Sequence, residues 1–439
     1  MKKTEEYLNF YNNLPFELTD AQKKAVRAIE KDLESGYEMN RLVQGDVGSG
    51  KTIVSFLASY LSVLNGYQVA IMAPTVVLAR QHFEELCLLT ETLKLQFKPV
   101  FLCGSTKIRE KAEIYNQIEA GEANIIIGTN AIISENINYN KLGLVICDEQ
   151  HRFGVRNRMK LMEKGENVHM LCLSATPIPR TLGIILYGDL SLSTIKDKPK
   201  NRLPVKNALV GPEYREKSYK FINDKVKEGE QAYIIVSKVE DGPENDLKSI
   251  ESYPDEIRPY FDSNVRFGIL HGKMKDSEKD SIMESFKEHR IDVLISTTVV
   301  EVGVNVPNAT VILIENCERF GLASLHQLRG RVGRGDKQSF AIFITGKNVN
   351  DKSNRLSILQ KTNDGFEIAD EDLKSRGPGD FFGVRQSGMP GFKLADIYND
   401  ANELRDSREI YDEIITSGNE EIIINAKNVL NIKDDRISI

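Results

Sequence analysis

Net positive charge is the first thing this 439-residue sequence lacks: 58 Lys and Arg stand against 64 Asp and Glu, for a formal charge of −6. No global basic signature of a nucleic-acid binder follows, although a groove needs only local charge. The five cysteines (87, 103, 147, 172, 317) show no Cys-x-x-Cys spacing and sit mostly in apolar runs. Buried free thiols in a reducing compartment are expected rather than a disulfide framework. His151 has no second His or Cys at ligand spacing, which argues against zinc. No apolar run reaches membrane-spanning length, and residues 1–13 are charged and Asn-rich, unlike a signal peptide. The expected location is the cytoplasm. Gly (31) and Pro (14) are too few for a low-complexity chain, and 41% hydrophobic residues suit an ordinary globular one. The length allows two or three domains.

What is present organises itself around Gly45-Asp46-Val47-Gly48-Ser49-Gly50-Lys51-Thr52. Four variable residues separate Gly45 from Gly-Lys-Thr, the pattern of a phosphate-binding loop. Residues 39–44 read as a strand before it and 52–64 as an apolar helix after it. Gly45, Gly48 and Gly50 let the backbone bend and point N–H groups inward, Ser49 lies among them, and the helix N-terminus faces the same anion. Lys51 would meet the outer phosphates of ATP, and Thr52 would place a hydroxyl on Mg²⁺.

Upstream, Thr19 reads as the N-cap of a helix with apolar residues at 21, 25, 26 and 29. Phe16, Thr19 and Gln22 lie near enough to suggest an adenine contact, since a Gln amide donates and accepts; an ordinary surface Gln fits equally. Strands are predicted at 68–73, 98–103, 124–128, 143–147 and 168–173, with helical stretches between most of them. Apolar on both faces, they indicate a mostly parallel sheet covered by helices, with functional loops at its carboxyl ends. Loops 73–81, with Thr75 and Arg80, and 128–132 can contact phosphate or simply cap helices. At Asp148-Glu149-Gln150-His151 the acids end a buried strand. Asp148 suits Mg²⁺, Glu149 suits the attacking water, and His151 suits a switch near ATP. Ser174 and Thr176 in Ser-Ala-Thr-Pro can link that loop to a moving partner or cap a helix. Pro177, Pro179 and Arg180 predict a constrained turn.

Residues 196–206, rich in Lys and Pro, mark a boundary. A second alternation follows: strands at 232–236, 267–270, 291–296, 311–314 and 339–344, with helices at 276–287 and 322–329. The acidic stretch 237–263 reads as irregular. This half has no phosphate loop. Its chemistry-bearing groups are His271 to Lys273, Thr297-Thr298, the run Glu301 to Asn305 containing Gly303, and Gln327-Leu328-Arg329-Gly330-Arg331-Val332-Gly333-Arg334. Arg331 and Arg334, three apart, share a face if helical and can stabilise a transferring phosphoryl group, bind nucleic-acid phosphate or face water.

Taken together these motifs resemble the two-domain motor of superfamily-2 helicases, specifically the bacterial RecG-type ATP-dependent DNA helicases. The general motifs are GDVGSGKT (45–52), APTVVLA (73–79), GTNAI (128–132), DEQH (148–151), SAT (174–176), STTVVEVGVNVP (296–307) and QLRGRVGRG (327–335). The narrower ones are DEQHRFGV (148–155), SATPIPRTL (174–182), ENCERFGLASLHQLRGRVGRG (315–335) and DGFEIADEDLKSRGPGDFFGVRQSG (364–388). The resemblance covers residues 14 to 395. It implies an α/β fold of two RecA-like parallel-sheet domains in tandem, 1–200 and 201–350, and a C-terminal helical hairpin extension, 351–439. It also implies a monomeric, DNA-dependent ATPase without membrane attachment, acting on double-stranded and branched DNA in fork reversal and Holliday-junction branch migration. Carried over, Lys51, Thr52, Asp148 and Glu149 form the ATPase core, with Arg331 and Arg334 as fingers and Gln327 near the γ-phosphate. Loops 73–79, 128–132 and 296–300 would touch the DNA backbone.

Gly303 and Asn305 would link DNA to nucleotide; Asn305 stands where the family more often has Asp, and loses its charge. Residues 356–376 read as helical, followed by a reversal at Gly377-Pro378-Gly379, with Arg376 and Arg385 the candidates for coupling or DNA contact. Residues 397–439 read as a small acidic helical tail. The family's N-terminal wedge, with its oligonucleotide-binding barrel, has no counterpart before residue 14. A motor fragment is expected, retaining ATP hydrolysis and weak duplex binding but severely impaired in fork recognition. The alternatives are a motor fragment of a transcription-repair coupling factor and an ATP-binding clamp with little turnover.

Overall fold

The computed structural model describes residues 1–149, 153, 155–176, 190–197, 203–236, 250–297, 306–346, 354–376 and 410. Met1–Ile178 and Asp189–Asp372 form one compact unit; the other unit, Pro179–Gly188 with Leu373–Ile439, lies mostly outside the described residues. The first unit opens with α1 (Glu5–Asn12), α2 (Asp20–Glu34), β1 (Asn40–Gly45), α3 (Lys51–Leu64), β2 (Gln68–Met72) and α4 (Val76–Leu93). It continues with β3 (Pro99–Leu102), α5 (Ile108–Glu119), β4 (Ile125–Gly128), β5 (Leu142–Cys147), α6 (Val155–Met162), β6 (His169–Ser174) and β7 (Ser191–Ile195). Next come β8 (Lys206–Val210), α7 (Arg215–Lys227), β9 (Gln231–Ile235), α8 (Tyr253–Ile257), β10 (Phe267–Leu270), α9 (Asp276–Lys287) and β11 (Val293–Ser296). The last elements are β12 (Ala309–Ile314), α10 (Leu322–Arg329), β13 (Phe340–Ile344), α11 (Ile358–Lys361) and α12 (Gly365–Arg376).

Two sheets result. The first runs β3-β4-β2-β5-β6-β1-β7 and the second β10-β11-β9-β12-β13-β8. Every pairing among the described strands is parallel. The two sheets with their covering helices have the RecA-like architecture that the motifs imply. The central strands explain the choice: β2, β4 and β5 are buried along their whole length, as strands covered by helices on both faces must be. Packed between the first sheet and the helices α1 and α2, α3 is buried from Ile53 to Ser62. Its three buried serines return their hydroxyls to the preceding turn, Ser55 to Thr52 O (2.7 Å), Ser59 to Ser55 O (2.8 Å) and Ser62 to Ala58 O (3.0 Å), so none of these three hydroxyls is left without a partner.

The main differences from the sequence-based expectations have local causes. Both β7 (SLSTI) and β8 (KNALV) are sheet edges, half-exposed and interspersed with polar residues, so neither shows a continuous apolar run. The second begins at Lys206, at the end of the stretch read as a boundary. Residues 5–12, read only as charged, form α1 because Tyr7 and Phe10 are buried and Thr4 caps the Tyr7 amide at 3.3 Å. The stretch 128–132 leads into a 3-10 turn, Asn130–Ile133. The segment 356–376 is two helices rather than one. Asp364 accepts from Phe366 N (2.7 Å) and Thr362 Oγ1 from Asp364 N (2.9 Å), caps that end one helix and start the next. Within 250–263 a short helix, α8, forms and continues into a 3-10 turn, Arg258–Tyr260; residues 237–249 lie outside the described residues. The reversal after Arg376, Arg385 and all of the tail but Ile410 lie outside the described residues, and Arg376 ends α12 with only its backbone described.

Gly128, at the end of β4, has no room for a side chain: a Cβ there would sit 1.9 Å from the Leu102 carbonyl oxygen and 2.7 Å from Ile132 Cγ2. Gly128→Ala is therefore expected to destabilise the protein by about 1–3 kcal/mol, read as a lower urea midpoint; an unchanged midpoint would contradict the close approach.

Candidate active site

In the first sheet β5, β6 and β1 are consecutive neighbours, and because they are parallel their carboxyl ends lie along one edge. Three loops leave that edge side by side: Asp148-Glu149 after β5, Ala175-Thr176 after β6, and the glycine-rich loop after β1. Topology thus gathers groups separated by as many as 130 residues of chain.

The glycine-rich loop turns through left-handed conformations at Gly48 (φ +74°) and Gly50 (φ +80°), which glycine adopts without a Cβ penalty. At Gly50 a Cβ would also strike the Gln22 amide at 2.2 Å. The loop delivers α3 with Gly50 as its N-cap and no side-chain cap, leaving the first amides to an incoming anion. Lys51 Nζ donates to Gly45 O (2.7 Å) and Asp46 O (3.1 Å). Burial pushes its ammonium below the ordinary value; Glu149, Asp148 and Asp46 oppose this without reversing it, and the charge of Arg334 adds to it. The Ser49 hydroxyl is fully buried without a hydrogen-bond partner. Bare helix amides, an orphaned hydroxyl and a desolvated cation are a donor set that fits a phosphate chain. Thr52 stands one residue further on, half-buried, in the first turn of α3.

Asp148 is 8% exposed and accepts from the Glu149 amide (2.9 Å) through Oδ1, while Oδ2 pairs with His82 Nε2 at 2.8 Å. Burial would raise its carboxyl, but the His82 hydrogen bond, with the charges of His82 and Lys51, outweighs that and holds it below the usual range. His82 itself is raised: burial disfavours the imidazolium, and Asp148 more than compensates. Glu149 adopts φ +52° and accepts from Ala175 N through Oε2 (3.3 Å). Burial and the neighbouring Asp148 raise its carboxyl, against the pull of Lys51 and Arg331. The two adjacent acids are pushed in opposite directions, one toward firm ionisation and one toward proton exchange.

From the second sheet α10 and the turn after it face these loops. Gln327 Nε2 donates to Thr176 Oγ1 at 2.6 Å, so the Ser-Ala-Thr loop touches both Glu149 and the second sheet's helix. Arg331 is 2% exposed and its charge lowers Glu149; Arg334, whose Nε donates to Gly330 O (3.0 Å), bears on Lys51. Gly330 lies against Val47 so closely that a Cβ would sit 2.8 Å from Val47 Cβ. His326 Nε2 meets Asp46 Oδ1 at 2.5 Å.

Other expected residues are spread or differently employed. Phe16 is 51% exposed. Gln22 is buried, with Oε1 taking the Thr19 amide (2.8 Å) in a capping box and Nε2 given to Ser49 O (2.8 Å). It braces the loop and keeps one donor and one acceptor position in reserve. Thr75 caps α4, and the Arg80 guanidinium stacks on Phe101 at 4.7 Å. His151, Pro177, Arg180, Thr298, Gly303 and Asn305 lie outside the described residues. Sequence reasoning named neither His82 nor His326, and gave no individual role to Asp46, Arg329 or Gly330 within the motifs that contain them. Asp46 occupies a variable place in the loop pattern, and a single histidine on an amphipathic helix carries no signal of its partner.

Three family models match the chain. They are DEAD/DEAH box helicase over residues 19–184, helicase conserved C-terminal domain over 214–336, and the C-terminal part of domain 3 of ATP-dependent DNA helicase RecG over 362–433. Among relatives, ATP-dependent DNA helicase RecG of Streptococcus pneumoniae is 47% identical over 398 residues, covering 91% of this chain and 59% of that protein. The Synechocystis protein of the same name is 45% identical over 401 residues, covering 91% and 48%. That of Bacillus subtilis is 43% identical over 413 residues, covering 94% and 60%. The chain therefore spans between 48% and 60% of the length of these relatives. A solved structure of RecG bound to a three-way DNA junction matches with a TM-score of 0.76 at 41% identity, over 92% of this chain and 52% of that one. Dbp5 of S. cerevisiae, bound to RNA and ADP BeF3, matches at 19% identity with a TM-score of 0.58, over 85% and 92% of the two chains, and shares the fold alone.

Gly330 has helical φ and ψ that alanine adopts freely, so Gly330→Ala probes the contact with Val47 without backbone strain. It is expected to lift the loop from α10 and speed amide hydrogen exchange at 46–50, and Val47→Gly in the same chain should restore protection. Unaltered exchange in Gly330→Ala would refute the contact.

Proposed function

The chain belongs to the RecG-type family of superfamily-2 DNA helicases, and from that premise we propose that it hydrolyses ATP between its two sheets to move along double-stranded and branched DNA. The observation that carries this reading is the division of one site: Lys51, Thr52, Asp148 and Glu149 on the first sheet face Gln327, Arg331 and Arg334 from the second, with each arginine acting electrostatically on a first-sheet group. A site divided in this way is complete only while the sheets are together, which ties turnover to motion.

In this reading the amides of Gly48, Gly50 and Lys51 and the Ser49 hydroxyl cradle the phosphates, and Lys51 neutralises the outer ones. Phe16 and Gln22 flank the adenine. Thr52 and Asp148 would hold Mg²⁺, which supplies charge neutralisation across the phosphates when bound. Glu149, raised toward the range of a working base, orients or deprotonates the water. Arg331 and Arg334 stabilise charge on the transferred phosphoryl group. Gln327, bonded to Thr176, moves to the γ-phosphate as the site fills. Loops 73–79, 128–132 and 296–300 follow strand ends and contact DNA phosphates, so binding ignores sequence and weakens with salt. The domains are taken as 1–200, 201–350 and 351–439. The motor works as a monomer in the cytoplasm; among the described residues no helix is long and apolar enough to cross a membrane. Fork reversal and branch migration during recombination and repair are the activities that this motor serves.

Phosphate release measured with forked, linear duplex and single-stranded DNA tests the scheme. Lys51→Ala and Arg331→Ala are each expected to lower the DNA-stimulated rate by about 10³-fold or more, with linear duplex and forked DNA both stimulating more than single-stranded DNA. Unchanged rates in both variants would overturn it, and equal stimulation by all three DNAs would remove the preference for double-stranded DNA.

A further inference from the structure

We infer that His326 is a positioning residue of the phosphate loop, joining Asp46 on the first sheet to Arg329 and, through it, to the end of α11. The inference rests on the ATPase reading above and adds a residue that it does not use.

The three side chains form one line of contacts within the protein interior: Asp46 is 3%, His326 3% and Arg329 2% exposed. Asp46 Oδ1 takes the Val47 amide (2.7 Å) and meets His326 Nε2 at 2.5 Å. His326 Nδ1 faces Arg329 Nη2 at 2.7 Å. A guanidinium nitrogen can only donate, so Nδ1 must accept, and the imidazole proton sits on Nε2, aimed at Asp46. The geometry therefore fixes the tautomer. On its other branch Arg329 Nη1 donates to Thr362 O (2.9 Å) and Leu359 O (3.3 Å), the first at the C-cap of α11 and the second within it. Burial lowers the Arg329 guanidinium to about 10, and the charge of Asp46 opposes that fall across the imidazole. His326 thus separates a buried anion from a buried cation and hydrogen-bonds both.

The connection to chemistry runs through the Asp46 backbone. Its carbonyl accepts from Lys51 Nζ (3.1 Å) and from Ser49 N (3.1 Å), so the residue that His326 grips is also an anchor of the lysine. His326 reaches neither phosphate nor water in the proposed site; it acts through Asp46. Since Asp46 and His326 belong to different sheets, the grip exists only while the sheets are together. Its loss should slow turnover more than it weakens nucleotide binding to the first sheet.

The test uses the full 439-residue chain. His326→Gln keeps an N–H at the reach of Nε2; His326→Asn keeps an acceptor near Nδ1 but falls short of Asp46. His326→Asn is expected to lower kcat of DNA-stimulated ATP hydrolysis about tenfold, and affinity for a fluorescent ATP analogue without DNA to change less than about twofold. His326→Gln should return kcat to within about threefold of the unaltered chain, and Asp46→Ala added to His326→Asn should cost little beyond either change alone. The inference is overturned if His326→Asn turns over within about twofold of the unaltered chain, if Gln fails to rescue, or if the two losses multiply. Lys51→Ala, run in parallel, separates the failures. If it abolishes turnover while His326→Asn does not matter, only this inference falls; if Lys51→Ala is itself fully active, the ATPase reading falls.

Discussion

Lys51 carries an ammonium into surroundings where burial works against its charge, and the arrangement of the other site groups follows from that constraint. The carbonyls of Gly45 and Asp46 take two of its hydrogens, while Asp148 and Glu149 supply the negative potential. A lysine so held gives up solvent for two carbonyls, which makes a phosphate chain a better partner than water. Asp148 is then ionised by its neighbours despite burial, with His82 as the fixed hydrogen-bond partner of one oxygen and the Glu149 amide of the other. A carboxylate gripped on both oxygens has little freedom to turn, a useful property in the role proposed for it, presenting itself to a hydrated cation. Glu149 shares the burial without the histidine, and so ends up on the other side of its ordinary range.

How much of this was legible beforehand depends on whether the determinant was local. The central strands were readable because β2, β4 and β5 are apolar on both faces, and the phosphate loop because its glycines answer a local conformational need. Sheet edges were not, since β7 and β8 keep one side in partial contact with solvent and mix polar with apolar residues. In the candidate site, Lys51, Thr52, Asp148 and Glu149 stand at strand ends that a reader can mark, and the structure brings their loops to one edge. His82 was illegible for a different reason. It lies 66 residues from Asp148 and pairs with it only because β2 and β5 are neighbours, a fact of strand order that no spacing along the chain encodes. The same holds for Asp46 and His326, separated by 280 residues and by a change of sheet. Gln22 was read as a candidate for adenine, and its brace on Ser49 was hidden because backbone targets leave no trace in a sequence.

The magnitudes of the contacts between the sheets explain why they suit a cycle. Gln327 to Thr176 and Asp46 to His326 are buried hydrogen bonds, each worth on the order of 1 kcal/mol net, somewhat more where a charge takes part. Lys287 to Glu84, at 3.0 Å and largely exposed, contributes between nothing and about 1 kcal/mol. Val77, packed against the second sheet's core, and Val47 against Gly330 add small apolar patches rather than a continuous interface. These contacts, named among the described residues, sum to a few kcal/mol, the same size as the differential affinity by which a ligand shifts a two-state equilibrium. Were the sheets welded by a core of the kind that lies within each of them, binding and release of nucleotide could not separate them. Held by a handful of directional contacts clustered around the phosphate loop, their union becomes sensitive to what occupies that loop. The polar character of α10 and the turn after it, where His326, Gln327, Arg329 and Arg331 are all buried, is then what the proposed mechanism requires rather than an oddity of packing.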